Sequence, residues 1–396
     1  MSKSSDGANR EPFVEAKLFA PGPTPVPLAT RLAALESNVY HRADDFYALQ
    51  LRCSEGLRKI FGSTENPLIL AASGSGAMEA ALVNLTAEGD EVVTVAAGKF
   101  GERWRDLAKH WRCKVENIDV PWGRAVAADD LLAALGRCRK PKALFLQANE
   151  TSTGVRHPLD VLVPAVRAKF PDVLIVVDAI SSLCAHPMHM QKMQIDCVVA
   201  GSQKGFGMAP GLAFIALSDR AWNQLSDRPR FYFDLMRERK GQAKGRSAWT
   251  PPISLIQSLE VALQTINGMG IDAMVAHHAA MGRAVRAAVK AIGLELFAPT
   301  APSDALTSIT MPGASSRGPA IDGSPLVAHL SKRYGAIFSG GQDQLKGRII
   351  RFAHLGFSSR FDVLHGVAAL EFSLADLGYR GTLGTGVQAA MQSMHS

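Results

Sequence analysis

Apolar positions along the chain follow two alternating rhythms. Short apolar runs at 68–73, 91–98, 115–120, 143–147, 173–177, 197–200 and 212–217 are only four to eight residues long. Runs of that length read as strands buried on both faces, as in a parallel sheet. Between them, 77–85, 103–110, 129–135 and 159–169 carry the spacing of helices. The alternation predicts an α/β fold with a mostly parallel central sheet.

Ahead of this block, FAPGPTPVP at 19–27 holds four prolines and a glycine, which impose an extended or turning path. Helices at 27–37 and 44–61 follow. Past Pro252 the pattern changes to two long helices, at 254–267 and 273–292. Strands at 294–298, 305–311, 336–339 and 348–354 and helices at 324–333 and 361–374 then predict a smaller α/β domain. The expected division is a flexible tail over 1–17, a large domain over 18–290 and a small C-terminal domain over 291–396.

Composition narrows the class. Across 396 residues, 47% are apolar and 20% charged, as in a globular protein, and no apolar run approaches the roughly 20 residues of a spanning helix. The net charge of +7 is spread along the chain with only short basic groups at 237–240 and 244–246, so no nucleic-acid surface is expected. Five cysteines without C-x-x-C or zinc-ligand spacing predict reduced thiols, a cytoplasmic setting and no metal. The polar N-terminus lacks the apolar core of a secretory signal.

Three features carry candidate chemistry. Ser73-Gly-Ser-Gly-Ala77 follows a strand and opens a helix; it reads as an anion cradle of backbone N–H groups or as a plain tight turn. Asp178 closes the strand at 173–177, where ligands of open α/β sheets gather; it reads as a partner for a positive charge or as a turn and cap residue. Lys204, in GSQKGFGMAPG, reads as an amine tuned for covalent catalysis or as a solvent-facing loop lysine. Together they supply what a pyridoxal phosphate site requires: a phosphate cradle, an acid for the ring nitrogen and an amine for the aldehyde.

The sequence also resembles the class V aminotransferases of PLP-dependent fold type I (aspartate aminotransferase-like). The nearest group is the alanine–glyoxylate and serine–pyruvate aminotransferases, with relatives labelled soluble hydrogenase subunits. The likeness runs from 19 to about 374 through PGPTPVP, SGSGAMEAAL, GKFGERW, NETSTGV, VVDAISS, GSQKGFGMAPGLAF, FYFDL, WTPPISLI and RFAHLG. It implies that the large domain binds pyridoxal 5'-phosphate, with an N-terminal substrate loop that includes Gly22. It implies Lys204 as the Schiff-base lysine and proton carrier, and Asp178 as partner of the ring nitrogen. Ser75, Gly76, Ala77 and Gln203 would touch the phosphate. Phe100 and Ile180 would cover the two ring faces, and Thr151 would lie near the ring hydroxyl. Arg351 would grip the substrate carboxylate, and Thr250 would reach a partner's phosphate across a homodimer with shared active sites.

The implied reaction moves an amino group from a small L-amino acid (alanine, serine or aspartate) to glyoxylate or pyruvate by a ping-pong route. Arg42 is a candidate for a distal carboxylate. Two departures stand out: Ser247 replaces a tyrosine of the mammalian-type enzymes, and RFAHLG replaces RIGHLG, so that Phe352 and Ala353 are expected to reshape the pocket and His354 to be a packed structural residue. A cysteine desulfurase is disfavoured because the last cysteine, Cys197, precedes the lysine. A 2-aminoethylphosphonate-type transaminase and a non-catalytic complex-forming subunit are the alternatives, the second at odds with the retained Lys204, Asp178, Gln203 and Arg351.

Overall fold

In the computed structural model, residues 15–36 and 39–395 are described. Seven strands form the main sheet, in the order Leu68–Ala71, Leu212–Leu217, Cys197–Gly201, Leu174–Asp178, Pro141–Gln147, Glu91–Ala96, Lys114–Asp119. Leu212–Leu217 runs antiparallel to both neighbours, and the other pairings are parallel. The mostly parallel α/β fold expected from the apolar rhythm is therefore present.

Strand alternation divides the core into two layers. Val93, Leu144, Leu146, Ile175, Val177 and Val198 face helices that carry Phe46, Leu57, Leu131, Leu162 and Leu259. Val92, Phe145, Leu174, Val176 and Val199 face the helices Gly74–Leu85 and Lys99–His110, with Trp104 fully buried among them. Asp44–Phe61 shows why the individual helices form where they do. Asp44 and Asp45 occupy its positive end and Arg58 and Lys59 its negative end, and Gly62 closes it at φ +59°.

A second, antiparallel sheet joins Glu295–Leu296, Leu306–Thr310, Ile349–Ala353 and Ser339–Gly340. Lys17, assigned from sequence to the tail, instead pairs with Ala336 in the strand Lys17–Leu18. The pairing is anchored by Phe19, whose ring lies 5.3 Å from that of Phe352 and 5.4 Å from that of Phe338. Of the expected tail over 1–17, residues 1–14 lie outside the described residues, as does the predicted end of the first helix at Ser37; that helix spans Leu28–Ala33. The chain thus leaves the small sheet at Phe19 and runs directly to Pro21 and Gly22, at Lys204. The helix Thr385–His395 had no counterpart in the sequence reading; its contact face is built on Gly386 and Ala390, too small to register as an apolar stripe.

Candidate active site

Five strands of the main sheet end on the same side, and each releases a segment that carries candidate chemistry. Ser73–Gly76 follows Leu68–Ala71, and Phe100 follows Glu91–Ala96. Thr151 follows Pro141–Gln147, Asp178 ends its own strand, and Gln203 and Lys204 follow Cys197–Gly201. The helix predicted from 77 begins earlier, at Gly74, so that Ser75, Gly76 and Ala77 lie in its first turn. That turn carries the positive end of the helix dipole, and the N–H groups of Gly76 and Ala77 donate to Ser73 O at 2.8 and 3.3 Å.

Asp178 is 4% exposed, and its carboxylate accepts one bond, from Ile180 N at 2.8 Å. Burial pushes its pKa up to about 7, with the Glu150 carboxylate adding to the rise. Lys204 Nζ donates to Pro21 O at 2.5 Å. Burial, then the nearby Arg351 charge, lowers the Lys204 amine to about 8. Its loop is held by Thr24, whose hydroxyl donates to Lys204 O at 2.9 Å and whose N–H donates to Gln203 O at 3.1 Å. The close approach of the N-terminal segment needs Gly22, at φ +147°, because a Cβ there would sit 2.2 Å from Lys204 Nζ.

Arg351 is 7% exposed and belongs to the strand Ile349–Ala353. Its Nε donates to Gly340 O at 3.0 Å and its Nη1 to Thr151 O at 3.2 Å. Burial lowers its pKa to about 10. Thr151 and Ser181 share a hydroxyl–hydroxyl bond of 2.6 Å, and Asn149 Nδ2 donates to Ser181 Oγ at 2.8 Å.

Two residues outside the sequence assignments complete the arrangement. Arg103 donates to Ser75 Oγ at 2.8 Å and lies 4.9 Å over the Phe100 ring, linking the helix turn to the aromatic residue. Glu150 is fully buried and accepts from Gly101 N, Phe100 N, Ser152 N and Ser152 Oγ, which fixes the start of the helix Lys99–His110. Burial raises its pKa. Both lie inside the quoted motifs GKFGERW and NETSTG, but nothing local marks their roles, which come from contacts with distant segments.

Thr250 does not join this group within the chain; it is exposed beside Trp249, which stacks on Tyr232. Ile180 packs against Gly74, where a Cβ would lie 2.5 Å from its Cδ1. The reshaping expected of Phe352 and Ala353 does not occur. Phe352 alternates away from Arg351 into the small-sheet core, with Phe338 at 4.7 Å, and Ala353 packs with Ala185, Ala305 and Leu355. His354 is fully buried against the Thr307 hydroxyl, and burial lowers its pKa to about 3.

The residues fit pyridoxal phosphate. Buried Gln203 Oε1 has no hydrogen-bond partner, Asp178 has a single backbone donor and room in its charge balance for a protonated nitrogen, and the N-terminal turn of the helix Gly74–Leu85 offers its positive dipole end to a phosphate. A mostly parallel sheet with an acid, an amine and a helix turn at its carboxyl edge is the arrangement of a pyridoxal phosphate-dependent enzyme. The sequence profile of the aminotransferase class-V family matches residues 28–342, and the chain belongs to that family.

The small subunit of a soluble hydrogenase from Synechococcus sp. (strain PCC 6716) is 38% identical over 382 residues, covering 95% of this chain and 97% of that one. The L-aspartate–glyoxylate aminotransferase of Paracoccus denitrificans (strain Pd 1222) is 32% identical over 383 residues, 95% of each chain. Among solved structures, the alanine–glyoxylate aminotransferase of Nostoc sp. has a TM-score of 0.84 at 29% identity, covering 94% of this chain and 100% of that one. Among the described residues no helix is long and apolar enough to cross a membrane.

Proposed function

We propose that the protein transfers the amino group of a small L-amino acid (alanine, serine or aspartate) to glyoxylate or pyruvate in a ping-pong reaction. The observation that carries this reading is Arg351: a buried guanidinium bonded only to the carbonyl oxygens of Gly340 and Thr151, with no carboxylate within 4.0 Å among the described residues. A buried cation without an anion is costly. The carboxylate common to amino and oxo acids satisfies it in both halves of the reaction.

Pyridoxal phosphate, when bound, supplies the aldehyde that takes the amino group and the ring that accepts the electron pair of the broken Cα–H bond. Ser75, Gly76 and Ala77, in the helix turn, and Gln203 hold its phosphate, and Arg103 beside Ser75 adds a positive charge there. Phe100 and Ile180 confine the ring and Thr151 stands by its hydroxyl. Asp178 keeps a proton on the ring nitrogen. Its buried carboxylate is hard to ionise alone, so the ionised form depends on that cationic partner. Lys204, with its amine lowered to about 8, loses its proton far closer to neutral pH than an ordinary lysine, which suits it to take and return the Cα proton. Gly22 and Pro21 close over that amine and limit water.

The active form is a homodimer of the cytoplasm. Exposed Phe231 (73%), whose ring lies 5.0 Å from that of Trp249, supplies apolar surface beside Thr250, which then reaches the partner's phosphate. Five free cysteines suit a reducing compartment. Arg42 is exposed in the single chain and is the residue that would admit aspartate. Steady-state kinetics over alanine, serine, aspartate and longer dicarboxylic donors test the reading: small donors with glyoxylate or pyruvate give the highest kcat/KM, and a preference for long dicarboxylates overturns it.

A further inference from the structure

The helix Lys99–His110 has no capping side chain of its own, since Gly98 precedes it. Its first three N–H groups are satisfied all the same, by two side chains 49–53 residues further along the chain. Lys99 N donates to Ser152 Oγ at 3.0 Å, Phe100 N to Glu150 Oε2 at 3.2 Å, and Gly101 N to the same oxygen at 2.9 Å. The cap therefore comes from the segment in which Thr151 stands between Glu150 and Ser152.

The capping carboxylate is itself fixed. Glu150 is fully buried, and its Oε1 accepts from Ser152 N at 3.1 Å and from Ser152 Oγ at 2.6 Å. Every one of these partners is a donor, which suits an ionised carboxylate at the positive end of a helix dipole. Burial raises its pKa, and the donors from Ser152, Gly101 and Phe100 oppose the rise. Gly98 makes the close packing possible: a Cβ there would lie 2.6 Å from both Cγ and Cδ of Glu150.

The residues assigned to the cofactor hang on this one side chain. Phe100 lies in the turn that Glu150 caps, and Arg103, one turn on, reaches Ser75 Oγ at 2.8 Å. Thr151 follows Glu150 directly, and its carbonyl accepts from Arg351 Nη1 at 3.2 Å. The Glu150 charge also opposes the lowering of the Arg351 pKa.

Resting on the transaminase reading above, we propose that Glu150 is a positioning residue that orients the cofactor ring, by holding the Phe100 ring in register with the Thr151 hydroxyl. It acts through these neighbours and not on the reacting atoms.

The test is a double-mutant cycle on the dissociation constant of pyridoxal phosphate, read by fluorescence quenching as the cofactor is added to the full-length apo-protein. Glu150→Gln keeps the shape of the side chain but turns one oxygen into a donor facing other donors. It raises the constant about tenfold, as does Phe100→Ala, and the double variant stays near tenfold where independent effects would give about 100-fold. The visible circular dichroism of the bound cofactor, which reports ring orientation, changes in Glu150→Gln. Ser152→Ala removes a donor to Glu150 and the acceptor of Lys99 N, and it decides the matter where Glu150→Gln fails to fold. It raises the constant about threefold, and with Phe100→Ala the total stays near tenfold and does not reach about 30-fold. An unchanged constant and dichroism, or effects that multiply with Phe100→Ala, overturn the proposal and leave the transaminase reading standing. Wild-type protein that binds no cofactor overturns both.

Discussion

Gly22→Ala puts the geometry around Lys204 to a direct test. The added methyl carbon would lie 2.2 Å from Nζ, 2.6 Å from Cε and 2.8 Å from Cδ of Lys204, where ordinary contact begins at 3.4 Å. The amine must retreat by about 1 Å or more and give up its bond to Pro21 O, and a displacement of that size in a reacting group costs about 100-fold in rate. That loss corresponds to ~2.7 kcal/mol of barrier. Alanine at φ +147° adds backbone strain of ~1–3 kcal/mol, within the ~5–15 kcal/mol that a folded domain can spend. The variant is therefore folded, retains cofactor and is slow. The assay is kcat with saturating donor and acceptor, with the thermal midpoint measured alongside. A folded Gly22→Ala protein with wild-type kcat refutes the placement of the N-terminal segment over a working Lys204.

Asp178→Asn alters the pH dependence of stability in cofactor-free protein. The folded carboxyl has its pKa raised to about 7, above ~3.9 unfolded, so its contribution is present below pH ~4 and is lost as pH rises toward 7. Urea unfolding of the apo-protein at pH 5 and pH 7.5 should show wild type losing ~2.5 kcal/mol between the two and Asp178→Asn losing far less. Arg351→Lys keeps the charge but not the planar fork, and raises KM for amino and oxo acids alike by about 10-fold or more, measured in both half-reactions. Arg103→Met removes the donor to Ser75 and weakens cofactor retention, read as a higher dissociation constant for pyridoxal phosphate. Gly136→Ala, in the helix Ala128–Arg137 with open space around it, stabilises the fold by ~0.5–1 kcal/mol in denaturant titration without changing activity.

The central strands of the main sheet were legible because they are apolar runs buried on both faces: Leu212–Leu217 matches its predicted span, and Leu174–Asp178 differs by one residue at each end. Elements stabilised by long-range contacts were not. Lys17–Leu18 is two residues long and exists only through its pairing with Ala336 and the packing of Phe19. Leu235–Gln242 has little apolar content, and buried Glu238 and Gln242 tie it to the sheet edge through Ile69. The basic group at 237–240 belongs to this packing too, since Arg239 pairs with Glu65 and lies over Trp222, and Arg237 lies over Trp249.

In the site, Asp178, Lys204 and the Ser75 turn could be found from sequence because strand ends and Gly-rich turns mark themselves locally. Arg103 and Glu150 could not. Their meaning depends on contacts to Ser75 and to the amides of Phe100 and Gly101, from segments 28 and 49–50 residues away. Phe352 was misread for the opposite reason: its neighbour Arg351 faces the site, and strand alternation turns Phe352 into the core.

The most direct test of the account is to load the wild-type protein with pyridoxal phosphate, reduce it with borohydride, digest it and map the modified lysine by mass spectrometry. The account predicts the cofactor-derived mass on the peptide containing Lys204. Modification at a different lysine, or none, would contradict it.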